Sequence, residues 1–191
     1  MTHPCELFTA DAIATLRDAQ FEQTAENNTH LSPEVYLSWD EEGNTVELTT
    51  VSETNALLSL KASVTGTPKW FSLNIGLGRG SFAAGDVIGL VVETETQTPF
   101  EATPFVRTAV ADSQHADTPA LDTLAFEDGR QVITLLHTVG PDSALTTDAF
   151  HTLVIPLPGQ DFQLDICDMR LFVIDADRAL RTTPETLSSF G

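Results

Sequence analysis

The chain has 191 residues and a formal net charge of −19 at pH 7, with nine basic and 28 acidic side chains. A field of this sign repels phosphate backbones and anionic lipid headgroups, so binding to nucleic acid or to membranes is disfavoured, whereas a neutral ligand or a cation is compatible with it. No apolar stretch reaches the roughly 18 residues that a membrane-spanning helix needs, and the length fits one soluble domain.

The first residues and the cysteines bear on the cellular compartment. The segment MTHPCELFTADAI has neither a basic leader nor a continuous apolar run, so we expect no secretory signal peptide in the chain as given, and the compartment is left open. Cys5 and Cys167 are the only cysteines. Two cysteines support no disulfide framework, and two free thiols are predicted, with a single bridge between them as the alternative.

The first 35 residues are predicted to form an arm that packs across the main domain. Residues 9 to 23 can form a short helix, with Thr9 or Asp11 as its cap and a loose apolar side. The following segment, AENNTHLSPE, is polar and contains a proline, so a loop is predicted there.

From Val46 onward, apolar residues alternate with polar ones, which is the period of a β-strand with one buried face. The segment VIGLVVETE is apolar on both faces through its centre, as expected of a central strand. Turn sequences such as TGTP, GLGRG, TQTP, GPDS and LPGQD separate the predicted strands. Strands are predicted at residues 46–50, 58–64, 71–77, 87–95, 105–111, 131–139, 150–157 and 162–174.

Eight strands without helices between them predict an all-β fold, an antiparallel β-sandwich of the jelly-roll type with a short N-terminal helical arm. An immunoglobulin-like sandwich is the alternative, although its usual pair of cysteines around a buried tryptophan is missing. The sandwich domain is predicted to span residues 36–178, after the arm of residues 1–35 and before a C-terminal tail of residues 179–191.

The segment WFSLNIGLGRGSF, residues 70–82, raises the question of a phosphate-binding loop. Such a loop follows a strand and opens a helix, whereas here another strand sequence follows. Gly76, Gly78 and Gly80 are therefore predicted to allow a positive φ or a close approach between strands, and no nucleotide cofactor is expected.

The same segment predicts a candidate binding surface. If Leu73 and Ile75 face the core, Trp70, Ser72 and Asn74 share the opposite face. An indole beside hydroxyl and amide groups offers the apolar plate and the hydrogen bonds that suit a pyranose ring. The alternative is that Trp70 is covered by the N-terminal arm or begins its strand at a sandwich edge.

Several ionisable side chains lie inside apolar strand sequences, where burial without a partner would be costly. We expect each of them to be exposed, paired or liganded. Arg–Asp pairing across neighbouring strands, a solvated sheet face and a sugar site all remain open as explanations. These residues are Arg107, His137, His151, Asp165, Asp168 and Arg170.

Metal and catalytic signatures are weak. The five histidines lack an HxH or HExxH spacing, so zinc is not expected. A structural calcium ion could use oxygen atoms of residues 40 to 44, DEEGN, or of Asp175 and Asp177, although DEEGN is primarily a turn sequence. Without a GxSxG motif or a recognisable cysteine nucleophile, a non-catalytic protein is predicted.

The strand pattern, and above all WFSLNIGLG, AGDVIGLVVETE and LPGQDFQLDICDMRLFVID, resembles the jelly-roll carbohydrate-binding modules and related galactose-binding-like sandwiches over residues 46–174. The resemblance implies ligand contacts from aromatic and polar residues on a concave sheet face or from loops at one edge, with a frequent structural calcium. On this chain it implies Trp70, Asn74 and Arg107 as ligand-binding residues, with Asp165 as an acceptor.

The leading hypothesis is a non-catalytic β-sandwich that recognises a neutral glycan or glycoconjugate through these four residues. A protein-interaction or assembly module is the alternative, with a homodimer formed by exposed strands or by the N-terminal arm. An enzyme whose site uses acidic loops is a third hypothesis.

Overall fold

A computed structural model describes residues 2–110 and 114–178 of the chain. Over these residues it contains one α-helix, fourteen β-strands and two short 3₁₀ helices. The elements in chain order are α1 (Pro4–Ala19), β1 (Phe21–Ala25), β2 (His30–Ser32), β3 (Val35–Trp39), β4 (Thr45–Glu53), β5 (Ala56–Thr65), β6 (Phe71–Gly80), β7 (Val87–Thr96), β8 (Phe100–Ala102), β9 (Phe105–Ala109), β10 (His115–Pro119), β11 (Leu124–Phe126), β12 (Gly129–Thr138), a 3₁₀ helix (Ala144–Thr146), β13 (Ala149–Pro156), β14 (Phe162–Ile174) and a second 3₁₀ helix (Ala176–Arg178).

Two six-stranded antiparallel sheets form the sandwich. Sheet A has the strand order β1-β4-β5-β14-β7-β12, and sheet B has the order β10-β9-β13-β6-β3-β2, while β8 and β11 form a separate two-stranded ribbon. The chain crosses directly between the sheets from β1 to β2, β3 to β4, β5 to β6, β6 to β7, β12 to β13 and β13 to β14. This repeated crossing is the jelly-roll arrangement, so the predicted fold class is confirmed.

The core lies between the sheets and is built from one face of each central strand. Leu73 and Ile75 of β6 are buried there together with Leu60 of β5 and Leu164 of β14. Because successive side chains of a strand point to opposite faces, the period-two pattern decides which residues reach this core. The strand β7, predicted to be central, lies between β14 and β12.

Helix α1 covers two strand edges that their neighbours leave unpaired. Strand β3 pairs with β6 only as far as Ile75, and β5 pairs with β14 only as far as Ile166. Beyond these points, α1 seats its Phe8 ring against Gly78 of β6, and Glu6 of α1 accepts a hydrogen bond from the backbone N–H of Val173 in β14 at 3.1 Å. A helix that covers an open strand edge protects it from pairing with other chains.

The helix differs from its predicted bounds of residues 9–23. It begins at Pro4, where the Nδ1 atom of His3 accepts a hydrogen bond from the N–H of Cys5 at 3.2 Å, and it ends at Ala19 because Gln20 adopts a φ of +39°. A proline in the first helical turn needs no N–H partner, which favours this start. Its buried face carries Ile13 and Leu16, which an apolar pattern detects, and also Cys5, Thr9 and Ala12, which are small or polar and are not detected by it.

Residues 21 to 35, assigned from the sequence to the arm and to a loop, contain strands of both sheets. Strand β1 pairs with β4 in sheet A, and β2 pairs with β3 in sheet B. The predicted loop at residues 25–34 contains strand β2, and residues 21–23, predicted as the end of the helix, belong to β1. Both predictions were wrong there, because short strands at a sheet edge need only a few backbone hydrogen bonds and carry little apolar periodicity. The predicted tail at residues 179–191 lies outside the described residues.

Each of the eight predicted strands is present, and the prediction at residues 162–174 matches β14 at both ends. In addition to β1 and β2, the strands β3, β8, β10 and β11 were not predicted from the sequence. All six are three to five residues long. Segments of this length hold too few alternating positions for a reliable period.

The glycines of β6 accommodate neighbouring groups. The strand continues through Gly80 and is followed by β7 rather than by a helix, so the backbone does not form a phosphate-binding loop. Gly78 has a φ of +78° and lies at a β-bulge, where the register with β13 shifts. At Gly76, a Cβ atom would come within 2.6 Å of the Glu34 carboxylate. Both predicted roles, a positive φ and a close approach, are present.

No helix in residues 2–110 and 114–178 combines the length and apolar character needed to cross a membrane. Cys5 and Cys167 are both free cysteines, as predicted. Cys5 lies in the core contact between α1 and β6, and burial raises the pKa of its thiol to about 11.

Candidate functional site

The outer face of sheet B brings together most of the candidate ligand residues. The strand register places one residue from each of the six strands in a single row across this face, so that each side chain of the row is next to the one on the neighbouring strand. We refer to this surface, together with the residues above and below the row, as the sheet B face. The row consists of His30, Tyr36, Asn74, Val154, Phe105 and Pro119.

Trp70 lies at one end of the sheet B face and is 53% exposed. It directly precedes β6, and the alternation of the strand gives it the same outward direction as Ser72 and Asn74. Its backbone carbonyl accepts a hydrogen bond from the N–H of Asp40 at 2.9 Å, which ties the start of β6 to the end of β3. The backbone of Trp70 is therefore fixed by this hydrogen bond, while its indole ring is exposed to solvent.

Asn74 lies on the predicted face but is only 4% exposed. Its side-chain amide donates to the backbone carbonyl of Tyr36 at 3.3 Å and to the hydroxyl of Ser72 at 3.1 Å. These bonds satisfy the amide inside the sheet. Asn74 thus forms part of the floor beneath the aromatic side chains, and the expectation of an exposed amide beside the indole is corrected.

Arg107 of β9 lies two strands away from Asn74 and pairs with Asp117 of β10. The guanidinium Nε and Nη2 each donate to one oxygen of the Asp117 carboxylate at 2.8 Å. This two-bond geometry is the strong form of an Arg–Asp pair, and the hydrogen bond from Arg107 lowers the pKa of Asp117. The guanidinium carbon also lies 5.4 Å from the centre of the Phe105 ring, a cation–π distance.

Asp165 is not part of this site. It lies on β14 in sheet A, where it pairs in register with Ser59 of β5 and with Glu95 of β7. The two sheets turn their outer faces in opposite directions, so Asp165 points away from Trp70 and Arg107. The sequence-based grouping of Asp165 with the other three residues is therefore corrected.

Three residues of the sheet B face were missed as site candidates. Tyr36 and Phe105 are half-buried aromatic side chains of this face, and Asp117 supplies the carboxylate that was sought at Asp165. A usable signal was present for the first of them, because the sequence EVYLSW alternates as a strand does. Asp117 lies in HADTP, which has no apolar alternation and becomes recognisable only through its pairing with β9.

The sheet B face carries little charge compared with the rest of the protein. Its formal charges among the described residues are Arg79, Arg107, Asp117, Asp148 and Glu34, which sum to −1 against −19 for the whole chain. Arg107 and Asp117 neutralise each other. Arg79 and Asp148 form a second ion pair. Apart from Glu34, the other groups of the surface are aromatic, aliphatic, hydroxyl, amide or imidazole side chains, so the surface suits a ligand without net charge.

In the turn at residues 40 to 44, the Asp40 side chain holds the backbone in place through hydrogen bonds. Both carboxylate oxygens of Asp40 are occupied by backbone donors, Oδ1 by the N–H of Glu42 at 3.0 Å and Oδ2 by the N–H of Lys69 at 3.1 Å. The hydrogen bond from Glu42, followed by that from Lys69, lowers the pKa of Asp40. Within the described ranges, no three His, Cys, Asp or Glu side chains are grouped so that they could hold a metal ion.

His137 and His151, the two histidines that lie inside apolar strand sequences, face the core rather than the sheet B face. His151 is fully buried, and its ring nitrogens contact the Thr108 hydroxyl and the Gly80 carbonyl, each at 3.0 Å. Because a carbonyl only accepts, Nε2 carries the proton and Nδ1 accepts from Thr108. His137 is also buried, but neither ring nitrogen has a partner within the described part of the chain. It therefore violates the expectation that such residues are exposed, paired or liganded.

Comparison with known proteins gives structural but no sequence relatives. No family model matches this sequence, and no curated protein matches it. Among solved structures, a CBM4 carbohydrate-binding module is 12% identical with a TM-score of 0.52, and the match covers 83% of this chain and 99% of that one.

Two further modules are similar at lower scores. The family 11 carbohydrate-binding module of Clostridium thermocellum, in complex with a β-1,3-1,4-mixed-linked tetrasaccharide, is 12% identical over 79% of this chain and 95% of that one, with a TM-score of 0.49. The CBM22-1 xylan-binding domain of Paenibacillus barcinonensis Xyn10C is 9% identical over 81% and 94%, with a TM-score of 0.47. At these identities the similarity concerns the fold, and the chain has a jelly-roll β-sandwich that resembles carbohydrate-binding modules.

Proposed function

We propose that the sheet B face binds a neutral oligosaccharide and that the protein is a non-catalytic carbohydrate-binding domain. The observation that carries this proposal is the composition of the face. Aromatic side chains lie at separated positions with hydroxyl groups between them. The formal charge of this surface is −1, although the whole chain has a formal net charge of −19. Aromatic rings stack on the C–H faces of sugars, and hydroxyls supply hydrogen bonds that are not charge-selective.

The spacing of the aromatic side chains favours a ligand of several sugar units. Tyr36 and Phe105 belong to strands that are three positions apart in sheet B, which corresponds to about 14 Å between them. Trp70 precedes Asn74 by four residues, or about 13 Å along β6. A single pyranose ring cannot reach two of these positions, whereas an oligosaccharide that lies on the face can.

The polar residues have different roles in this proposal. Arg107 and Asp117 hold each other in one orientation, so their remaining N–H and oxygen groups are pre-organised to bond sugar hydroxyls at little entropic cost. Asn74 keeps the floor of the face in place and makes no direct ligand contact. Glu34, the unbalanced negative charge of the face, disfavours uronates and sulfated sugars.

Isothermal titration with neutral oligosaccharides tests the proposal, and xylo-oligosaccharides and a mixed-linkage glucan tetrasaccharide are suitable first probes. We expect Trp70→Ala to weaken binding by at least about tenfold, since truncation of an aromatic anchor typically removes more than about 1.4 kcal/mol. Trp70→Phe should retain part of the affinity, and Asp165→Asn, on the opposite sheet, should bind like the unmodified protein.

Tryptophan fluorescence supplies a second readout. The protein has two tryptophans, of which Trp39 is buried and Trp70 is exposed, so a ligand-induced change should disappear in Trp70→Ala. The proposal is wrong if no neutral oligosaccharide binds, or if Asp165→Asn loses affinity while Trp70→Ala does not.

A further inference from the structure

The two sheets have four outer strands, and three of them carry features that prevent pairing with another chain. Strand β2 has three residues, and β1 has five residues with Glu22 among them. Strand β10 also has five residues, and its sequence HADTP contains Asp117 and Pro119. Short length, charge and proline are the usual means by which proteins protect sheet edges.

Strand β12, the remaining edge of sheet A, is long and contains no proline, and its one charged residue is Arg130 near its start. It has ten residues, and the stretch QVITLLHTVG from Gln131 to Gly140 contains no charged residue and no proline. Such a neutral run of β-branched and aliphatic residues is typical of segments that pair with other strands. Val132, on its outward side, is 63% exposed.

The backbone of β12 is paired on one side. All ten residues align with β7, and β12 stands at the end of the strand order of sheet A. Within residues 2–110 and 114–178, the backbone of residues 131 to 138 makes no hydrogen bond to a side chain or to a loop. Alternate N–H and C=O groups therefore point outward from the sheet edge.

We propose that β12 is a homodimer interface, where a second copy of this chain pairs antiparallel along the same strand and joins the two A sheets into one. An antiparallel pairing about a two-fold axis places the neutral stretch opposite itself, which makes the surface self-complementary. The charge distribution selects this edge. In a chain with a formal net charge of −19, a second copy meets little local repulsion along the neutral stretch from Gln131 to Gly140, and Arg130 next to this stretch is paired with Glu93.

The same net charge gives the dimer a characteristic salt dependence. The remaining acidic groups of the two copies repel each other over a Debye length of about 30 Å at 0.01 M salt and about 8 Å at 0.15 M. Association should therefore strengthen as salt concentration rises. Electrostatically driven pairing with a basic partner would weaken instead.

Sedimentation velocity over a range of protein and salt concentrations tests the interface. We expect a monomer–dimer equilibrium that shifts toward the dimer with salt. The double variant Val132→Lys, Thr134→Lys should raise the dimer dissociation constant at least about tenfold, because lysines of the two copies then face each other across the strand pair. The matched control Thr49→Lys, Ser63→Lys changes the net charge equally at exposed positions of β4 and β5 and should still dimerise.

Hydrogen exchange on the unmodified protein provides a readout that needs no variant. Amides of residues 131 to 138 should gain protection as protein concentration rises, while those of β10 should not. A monomer at every concentration and salt overturns the proposal, and so does a dimer that the β12 lysines leave intact. Concentration-dependent protection confined to the sheet B face or to α1 would assign the interface elsewhere.

Discussion

Replacing His137 with leucine should stabilise this protein. The imidazole faces the core from β12 and is 8% exposed, and neither ring nitrogen has a hydrogen-bond partner within the described part of the chain. It borders a cavity of about 20 Å³. Thr118 is the other polar side chain around this cavity, whose remaining lining is Ile88, Leu90, Pro104, Phe105, Val106, Ala120, Leu135, Leu153 and Leu171.

The expected size of the effect follows from two terms. A buried polar group without a partner lowers the free energy of unfolding by about 1–3 kcal/mol, and leaving a 20 Å³ cavity unfilled corresponds to about 0.5 kcal/mol. Leucine removes the first term and reduces the second. We therefore expect a gain of about 1–3 kcal/mol, or about 2–12 °C in Tm for a domain of this size. If a water molecule is hydrogen-bonded to one ring nitrogen of His137, the gain in stability should lie at the lower end of this range.

The pH dependence provides an independent check. Burial lowers the pKa of His137, and no acidic side chain lines the cavity to stabilise a protonated ring. Between the lowered folded pKa and the unfolded value of about 6.5, the unfolded chain binds more protons, so stability falls as pH decreases through this window. His137→Leu lacks this contribution, and its advantage over the unmodified protein should be larger at pH 5 than at pH 8.

His151 supplies the matched control, since it is the same residue type and is fully buried. Both of its nitrogens are bonded, so His151→Leu leaves the Gly80 carbonyl and the Thr108 hydroxyl without partners and should lose about 1–3 kcal/mol. Thermal and urea unfolding at both pH values measures all three proteins. A fall in Tm for His137→Leu, or a gain that does not change with pH, refutes this account of the cavity.

Two further substitutions probe the fold, each by thermal unfolding. Gly78→Ala should lose about 2–4 kcal/mol, because the backbone has a φ of +78° and the new Cβ would lie 2.5 Å from the Phe8 ring; an unchanged Tm contradicts the seating of α1 on β6. Asp165→Lys should gain about 0.2–1 kcal/mol by turning a like-charge pair with Glu95 into an attractive one, and a loss of stability contradicts the register of β14 with β7.

The strands that could be predicted are those long enough to show their period. The prediction for β14 matched at both ends because residues 162 to 174 alternate over many positions. The helix shifted by several residues, because Cys5 and Thr9 of its buried face are not strongly apolar. The short edge strands β1, β2 and β10 were missed, since their stability comes from backbone pairing with a neighbour, which no local pattern records.

The residues of the candidate site also differ in how far the sequence could predict their positions. The sequence by itself determined the outward direction of Trp70 and Asn74 relative to Leu73, because alternation along one strand is a local property of the backbone. The tertiary structure alone decided that β14 lies in sheet A, which places Asp165 on the far side of the sandwich. It also decided that Asp117 meets Arg107 and that Asn74 is buried beneath its neighbours. Which strands become neighbours depends on the packing of the whole chain, and residues that are distant in sequence come together only through that packing.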